Sequence, residues 1–304
     1  MILLTLCPST ICTSYRMQKE MKQLHSKGQV LDISQPVIMG ILNATPDSFY
    51  NKGRESDMDG LLRNAEKMIH DGAAILDIGG ASTKPGQPIM AADEELARVL
   101  PVVEQIHRRF PEVWLSVDTY NARVAKEAVG AGVSIVNDVS SGRIDAGMIK
   151  TVASLGVPYI AMHMQGTPET MQVNPTYENV LLEVLTYLKN ISEQCGQAGI
   201  TDVIIDPGFG FGKTVEHNFT LLRYLGMFRS LGRPILAGLS RKSMICKPLK
   251  VNPEHALNGT TALNMAALLN GADILRVHDV KEAKETIVLA QNITSPGLPK
   301  GEEV

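Results

Sequence analysis

Eight short apolar runs, which recur along the chain from residue 36 onward, constrain the fold more than any other feature of this sequence. Each run is rich in β-branched residues and is followed by a polar loop, an amphipathic stretch and, usually, a glycine. The runs are VIMGILN (37–43), AAILDIG (73–79), VWLSVD (113–118), VSIVND (133–138), VPYIAMH (157–163), DVIIDP (202–207), PILAGLS (234–240) and ADILRVH (272–278). Nearly continuous apolar runs are typical of strands buried on both faces of a parallel sheet. The sequence therefore predicts an α/β protein.

The segments between these runs have a helical pattern. In DEELARVLPVVEQIHRRF and YENVLLEVLTYLKNISEQC, apolar residues recur every three or four positions, which leaves a charged outer face. Eight strand–helix units without a second domain predict a single-domain (β/α)₈ TIM barrel. An open doubly wound sheet is the competing architecture. It is less favoured because no glycine-rich nucleotide-binding loop follows the first strand.

The barrel is expected to span residues 36–293. Residues 1–35 are interpreted as a poorly ordered leader or N-terminal extension, and residues 294–304 as a flexible tail. The first residues make a poor signal peptide, because no basic residue precedes the short apolar opening and Pro8 interrupts it.

The composition limits the classes of partner. Four scattered cysteines show neither CxxC nor metal-ligand spacing, which suits a reducing compartment. A formal net charge of -3 provides no basic field for nucleic acid, and the apolar opening is too short to cross a bilayer. We therefore expect a cytoplasmic protein that binds neither nucleic acid nor membranes.

The stretch DPGFGFGKT, residues 206–214, is similar to a phosphate-binding P-loop but does not fit one. A P-loop has a glycine five positions before the glycine of its Gly-Lys-Ser/Thr sequence. In this chain that position is occupied by Pro207. Proline has no N–H to donate to a phosphate. The three glycines also miss the spacing of the dinucleotide-binding fingerprint, so the stretch has another use.

Polar residues end each apolar run. They are Asn43, Asp77, Asp118, Asn137, His163, Asp206, Ser240 and the pair Arg276 and His278. In a parallel barrel all these ends emerge at one rim, where such enzymes place their chemistry. Helix capping explains one or two aspartates but not the whole set. Carboxylates and amides suit a flat, amino-substituted heterocycle, and the cationic residues Arg241, Lys242, Arg276 and His278 suit an anionic group nearer the mouth.

Six motifs in order carry a family resemblance. They are MGILNATPDSF (39–49), VDT (117–119), MHMQG (162–166), DPGFGFGK (206–213), GLSRKS (238–243) and RVHDV (276–280). Together, over residues 37–292, they resemble the dihydropteroate synthase family of folate biosynthesis, the target of sulfonamides. The resemblance implies a transferase that joins 4-aminobenzoate to (7,8-dihydropterin-6-yl)methyl diphosphate and releases diphosphate. It also implies a (β/α)₈ barrel, a Mg²⁺ requirement and a homodimer formed through outer helices.

The resemblance also implies roles for individual residues. Asn43 would reach the Mg²⁺–diphosphate, and Asp77 would support the rim from below. Catalytic roles would fall to Asp118, Asp206 and Lys242. Asp118, Asn137 and Asp206 would contact the pterin ring, with Lys242 beside it. Arg276 and His278 would bind the diphosphate. The residues around 4-aminobenzoate would be Thr83, Pro85, Phe211 and Ser243. In this interpretation Lys213 and Thr214 begin the next helix.

The chain departs from the family pattern at Lys84, where many members have arginine. Lysine keeps the charge but loses the planar fork that holds a phosphate at two points. We therefore expect the Lys84→Arg variant to bind the diphosphate substrate more tightly, by about 1 kcal/mol. Two long loops, 44–58 and 80–92, are expected to form a lid over the rim.

Two other functions stay open at this point. Pterin-binding methyltransferases share the barrel and the ring-facing acids, but they have no need of a diphosphate site or an aminobenzoate pocket. A non-catalytic pterin-binding barrel is the second alternative. His163 is interpreted as a structural residue, because a lone histidine is more often a hydrogen-bonded core residue than a base.

Overall fold

The computed structural model describes residues 22–44, 57–81 and 86–294. Ten strands lie in this part of the chain: β1 Gln23–Ser26, β2 Gln29–Asp32, β3 Val37–Asn43, β4 Ile75–Gly79, β5 Trp114–Asp118, β6 Ile135–Asp138, β7 Tyr159–Met162, β8 Val203–Asp206, β9 Leu236–Ala237 and β10 Ile274–Val277. The α-helices are α1 Asp57–His70, α2 Ala92–Arg109, α3 Ala122–Ala131, α4 Met148–Leu155, α5 Val180–Ala198, α6 Val215–Arg223, α7 Ser243–Leu249, α8 Leu257–Leu269 and α9 Val280–Thr294.

Strands β3 to β10 form one parallel sheet. Each strand from β3 to β7 pairs with the next, and β10 pairs with both β3 and β9. A parallel bridge between Ile205 and Ile235 links the β8 segment to the β9 segment. The sheet thereby closes on itself. Because helices alternate with the strands, the predicted single-domain (β/α)₈ barrel is confirmed, and every strand carries its carboxyl end to the same rim.

Two apolar layers hold the barrel together. One inward-facing residue from each barrel strand fills the floor; they are Met39, Ile75, Trp114, Ile135, Ile160, Ile204, Leu236 and Ile274. A larger cluster packs the outward face of the strands against the helices. Both faces of each strand are buried in this arrangement. The apolar runs of the sequence therefore do not alternate between apolar and polar residues.

Strands β1 and β2 form an antiparallel hairpin ahead of the barrel. Leu24 and Ile33, 0% and 1% exposed, pack onto the floor cluster, and the backbone N–H of His25 donates to Asp202. Of the two interpretations of residues 1–35, residues 22–35 fit an N-terminal extension rather than a poorly ordered leader. The sequence pattern did not predict this hairpin, because the hairpin carries few apolar residues. The rest of the expected leader (1–21) and the tail after Thr294 lie outside the described residues.

The helix ends follow the glycine pattern. Gly156 and Gly199 take the left-handed conformation after α4 and α5, with φ of 63° and 96°, which glycine adopts without Cβ strain. Within the described ranges, no helix combines the length and apolar character needed to cross a membrane.

Candidate active site

Polar side chains from alternate strands meet inside the barrel near its carboxyl rim. Asn137 of β6 donates from Nδ2 to Oδ2 of Asp77 on β4 at 3.0 Å, and both side chains are buried. This contact agrees with the expectation that Asp77 supports the rim from below. Asn137 Oδ1 and, on the intervening strand, Asp118 Oδ1 are buried and have no hydrogen-bond partner. Two free acceptors are therefore held in place, and ligand N–H groups would satisfy them.

Asp206 and Arg276 form the second buried contact. Arg276 Nη2 donates to Asp206 Oδ2 at 2.9 Å, with side-chain exposures of 8% and 1%. Asp206 Oδ1 accepts the backbone N–H of Gly208 at 2.7 Å. Each carboxylate oxygen can accept a further hydrogen bond. Arg276 Nη1 is buried without a partner, so its N–H groups are available to a ligand. Arg276 nevertheless lies beside the acids rather than apart from them.

Gly238 makes room for Arg276. A Cβ at this position would lie 2.9 Å from Arg276 Nη2 and 3.2 Å from its Nε. Only glycine fits without moving the guanidinium. Gly238 was not singled out from the sequence, although it stands in the motif GLSRKS, because the clash involves a residue 38 positions away.

Burial shifts the pKa values of two acids and one lysine in the site in the directions that favour their neutral forms. The pKa of Asp118 is raised well above its ordinary value by burial and by the neighbouring Asp77, against the opposing effect of Arg276. Burial likewise raises the pKa of Asp77. Burial and the positive charge of Arg276 lower the pKa of Lys242 to about 7. Hydrogen bonds from a ligand to the charged form of Asp118 would reverse part of its shift.

The turn after β9 aims Lys242 inward. Arg241 takes a left-handed φ of 57°, and it pairs with both oxygens of Asp279 at 3.0 and 2.6 Å. Lys242 then donates to the carbonyl of Phe209, and its Nζ lies 4.8 Å from the centre of the Phe211 ring. Ser243 is exposed at the first residue of α7.

His278 is neutral in this site, which corrects the expectation of a cation. Burial, and then the charge of Arg241, lower the pKa of His278 to about 4. Ser240 Oγ lies 2.9 Å from His278 Nδ1 and accepts the backbone N–H of His278 at 3.3 Å. The two contacts with Ser240 fix the orientation of the His278 ring, and a neutral imidazole in this orientation has one N–H to donate.

Lys213 does not begin a helix, contrary to the prediction. Helix α6 starts at Val215, and Thr214 is its N-cap in a capping box with His217. Lys213 is 3% exposed and turns into the protein, where its Nζ contacts His163 Nδ1 at 3.0 Å. Burial and Lys213 lower the pKa of His163 to about 2, so the geometry agrees with the interpretation of His163 as structural.

Asn43 ends β3 with an exposed side chain. Among the described residues, no group of three or more His, Cys, Asp or Glu could hold a metal ion. Thr83, Lys84 and Pro85 lie outside the described residues, as do residues 45–56 and 82–85 of the two expected lid loops.

Glu95 of α2 is a buried acid that sequence reasoning missed. It is 0% exposed, and burial raises its pKa to about 7, partly offset by hydrogen bonds from Thr119 and Asn121. A Cβ on Gly80 would lie 3.3 Å from Glu95 Cγ, which places Glu95 beneath the start of the loop that follows β4. The sequence offered no signal, because Glu95 stands among the acidic residues of a first helical turn.

A closed (β/α)₈ barrel that gathers buried acids, amides and cations at its carboxyl rim defines a barrel enzyme, and comparison with known proteins specifies its class. The pterin binding enzyme family matches residues 39–278. Dihydropteroate synthase of Escherichia coli K12 is 45% identical over 87% of this chain and 94% of its own. That of Haemophilus influenzae is 44% identical over 88% and 98%.

Solved structures agree with the sequence relatives. The Yersinia pestis dihydropteroate synthase in complex with a sulfonamide drug is 42% identical, with a TM-score of 0.84 over 89% of this chain and 98% of that one. The Xanthomonas albilineans enzyme with 4-aminobenzoic acid is 38% identical, with a TM-score of 0.84 over 90% and 98%. The chain therefore belongs to the dihydropteroate synthases. Its activity is the condensation of (7,8-dihydropterin-6-yl)methyl diphosphate with 4-aminobenzoate to 7,8-dihydropteroate and diphosphate, a transferase step of folate biosynthesis.

Proposed function

We propose that the rim residues described above carry this reaction, with the pterin ring held by Asp118, Asn137 and Asp206. The observation that supports this assignment is the pair of buried, unpartnered acceptors, Asn137 Oδ1 and Asp118 Oδ1. A dihydropterin presents an amino group beside ring N–H groups, and such donors would satisfy both atoms. Burying the two acceptors without a ligand is costly, so this part of the site is organised for a ring that is rich in donors.

The diphosphate is assigned to Arg276 and His278, with Mg²⁺ at Asn43. The donors fit a magnesium ion held mainly by substrate: Asn43 offers an amide oxygen at the exposed end of β3, and Mg²⁺ prefers oxygen ligands, substrate phosphates and waters. When bound, the ion would supply charge neutralisation to the leaving diphosphate. Arg276 would donate from Nη1, and the neutral ring of His278 would donate an N–H.

Phe211, Ser243 and Thr83 are assigned to 4-aminobenzoate, and Lys242 to the space beside the pterin ring. Phe211 and Ser243 follow β8 and β9, and Lys242 spans the gap between them through its contact with the Phe211 ring. A half-buried aromatic ring beside a cation suits a planar benzoate, which presents an apolar face and an anionic end.

We infer a dissociative substitution at the pterin methylene. The aniline nitrogen of 4-aminobenzoate is a weak nucleophile, because its lone pair is delocalised into the ring. Departure of diphosphate would precede full bonding to nitrogen, and the cation left on the conjugated methylene would be stabilised by Asp118 and Asp206. A secondary deuterium isotope effect at that methylene tests the order of events. A value near unity would instead support direct attack.

The roles are tested with purified protein, Mg²⁺ and both substrates. Dihydropteroate and diphosphate should form only when 4-aminobenzoate is present, which neither a methyltransferase nor a non-catalytic barrel would produce. The Asp118→Asn variant should bind the pterin substrate about 10- to 100-fold more weakly, since a hydrogen bond to a charged group contributes about 1.5–3 kcal/mol. Its free energy of unfolding should not fall, because the variant removes a buried carboxyl. Unchanged pterin affinity would contradict the assignment.

The same proposal includes a cytoplasmic homodimer. Apolar side chains are exposed on the outer helices α8 and α9; they are Leu257, Leu269, Val288, Leu289 and Ile293. Leu289 and Ile293 are 58% and 63% exposed and one helical turn apart, and exposed apolar patches of this kind mark protein interfaces. Light scattering should give a molar mass twice that of the chain. The Leu289→Glu variant should have the molar mass of a single chain.

A further inference from the structure

Lys213 is buried and has no part in the roles proposed above. Its Nζ donates to three backbone carbonyls, those of Gly208 at 2.8 Å, Phe211 at 3.0 Å and His163 at 3.2 Å. His163 Nδ1 lies at 3.0 Å. Lys213 thereby joins the loop after β8 to the end of β7 through one nitrogen, which carries three N–H donors when protonated.

The glycines of this loop bring the carbonyls together. Gly208 has φ of 71°, and a Cβ there would lie 1.9 Å from the His163 carbonyl oxygen. Gly212 has φ of 63°, and its Cβ would lie 2.6 Å from the Gln165 carbonyl oxygen. The loop is therefore pressed against residues 163–165. Buried carbonyls must be paired. The Gly208 carbonyl also accepts the Phe211 N–H at 3.1 Å, and Lys213 Nζ lies within hydrogen-bonding distance of all three carbonyls.

The opposite side of the same loop faces the proposed substrate site. The Phe211 ring lies 4.8 Å from Lys242 Nζ, and the Phe209 carbonyl accepts from Lys242. A Cβ on Gly210 would lie 3.3 Å from Lys242 Cδ. Lys242 thus lies along the loop, whose course is set from behind by Lys213.

We propose that Lys213 is a positioning residue for 4-aminobenzoate: by holding the Phe211 and Gly208 carbonyls, it sets the place of the Phe211 ring. This inference rests on the proposed role of Phe211. Four contacts hold the buried amine of Lys213 in place. Burial lowers the pKa of Lys213 well below its ordinary value, and the negative charge of Asp206 opposes that shift. A change at Lys213 should therefore reach the substrate through Phe211 first.

The test uses Lys213→Met, which keeps the length of the side chain and removes every donor. The KM for 4-aminobenzoate should rise about tenfold or more, because displacements near 1 Å have effects of that size. The KM for the pterin diphosphate should change by a smaller factor, since two of the three proposed ring contacts, Asp118 and Asn137, stand on other strands and only Asp206 adjoins the loop. The matched control is Tyr159→Phe, which removes a buried hydroxyl that donates to Asp138 at 2.9 Å outside the proposed site.

Tyr159→Phe should lower the melting temperature and leave both KM values unchanged. If Lys213→Met lowers the melting temperature and changes the two KM values equally or not at all, Lys213 is merely structural and the proposal is overturned. If Lys213→Met does not fold, Lys213→Gln, which retains two N–H donors, is held to the same criterion. Failure of both variants to fold would assign Lys213 to folding and also overturn the proposal.

A third variant separates this inference from the proposed function. Phe211→Ala should raise the KM for 4-aminobenzoate by itself. If it does not, the role of Phe211 is wrong whatever Lys213 does. If Phe211→Ala raises that KM and Lys213→Met leaves it unchanged, only the inference about Lys213 fails.

Discussion

Arg276 Nη2 and Asp206 Oδ2 lie 2.9 Å apart on strands β10 and β8, and their side chains are 8% and 1% exposed. Both charges are almost fully removed from water in this arrangement, so each is stabilised by the other. The same two residues carry proposed substrate roles. The stability of the fold and the proposed binding of substrate therefore depend on the same pair.

We expect a double-mutant cycle to measure that coupling. Asp206→Asn or Arg276→Met alone should destabilise the protein by about 3–5 kcal/mol, because each leaves a buried charge without its partner. The double variant should be less destabilised than the sum of the two, by about 1.5–3 kcal/mol. Urea unfolding at pH 7 measures all three variants.

The exposed pair Arg109 and Glu66, at 3.1 Å and with half-exposed side chains, provides the control. Its coupling free energy should stay below about 1 kcal/mol. Additive effects at Arg276 and Asp206 would show that the buried pair contributes no specific interaction.

Gly238→Ala should displace Arg276 without removing any polar group. The added Cβ would lie 2.9 Å from Arg276 Nη2, a distance that forces the guanidinium to move. We expect the KM for the pterin diphosphate to rise about tenfold. Gly196→Ala, within α5, is the control, because a Cβ at Gly196 meets nothing within 4 Å. This variant should stabilise the protein by about 1 kcal/mol and leave the KM for the pterin diphosphate unchanged. Equal kinetics for the two variants would contradict the packing argument.

Lys242 should make the activity depend on pH near neutrality. Because burial and Arg276 lower its pKa to about 7, Lys242 is cationic below pH 7 and loses its charge above it. If the reaction needs the cation, kcat/KM should fall as pH rises through about 7, since this ratio reports groups of the free enzyme. Lys242→Arg keeps its charge, so its profile should lack that decline. Exposed Lys247→Arg should retain the wild-type profile, and a decline that survives in Lys242→Arg belongs to another group.

Glu95 should make stability fall as pH rises. Its pKa moves from an ordinary 4.5 to about 7 in the folded protein, so between these values the folded state holds a proton that the unfolded state has released. The resulting stability is complete below pH 4.5 and is lost as pH rises through 7, by about 3 kcal/mol in total.

The Glu95→Gln variant should remove that pH dependence and should be the more stable protein at pH 8. Urea unfolding at pH 5 and pH 8 measures the difference, with exposed Glu104→Gln on the same helix as the control. Parallel stability–pH curves for wild type and Glu95→Gln would show that Glu95 is ionised in the folded state.

Much of the fold follows from local patterns. The strand runs and the glycines after helices such as α4 and α5 are encoded by neighbouring residues, and their number predicts a closed barrel. The polar ends of those runs then identify Asp118, Asn137 and Asp206, because parallel strands present their carboxyl ends at one rim. The hairpin before the barrel escaped prediction, since Leu24 and Ile33 become apolar contacts only once the barrel floor exists.

Sequence by itself thus determined which elements form, in what order, and which residues reach the rim, because hydrophobic period and strand direction are properties of short segments. Tertiary structure alone decided which atoms are already engaged there: Asn137 Nδ2 is taken by Asp77 across 60 positions, and Arg276 Nη2 by Asp206 across 70. It also decided that Lys213 turns inward and that His278 is neutral. Contacts between distant segments and the loss of water around a charge exist only after the chain has closed.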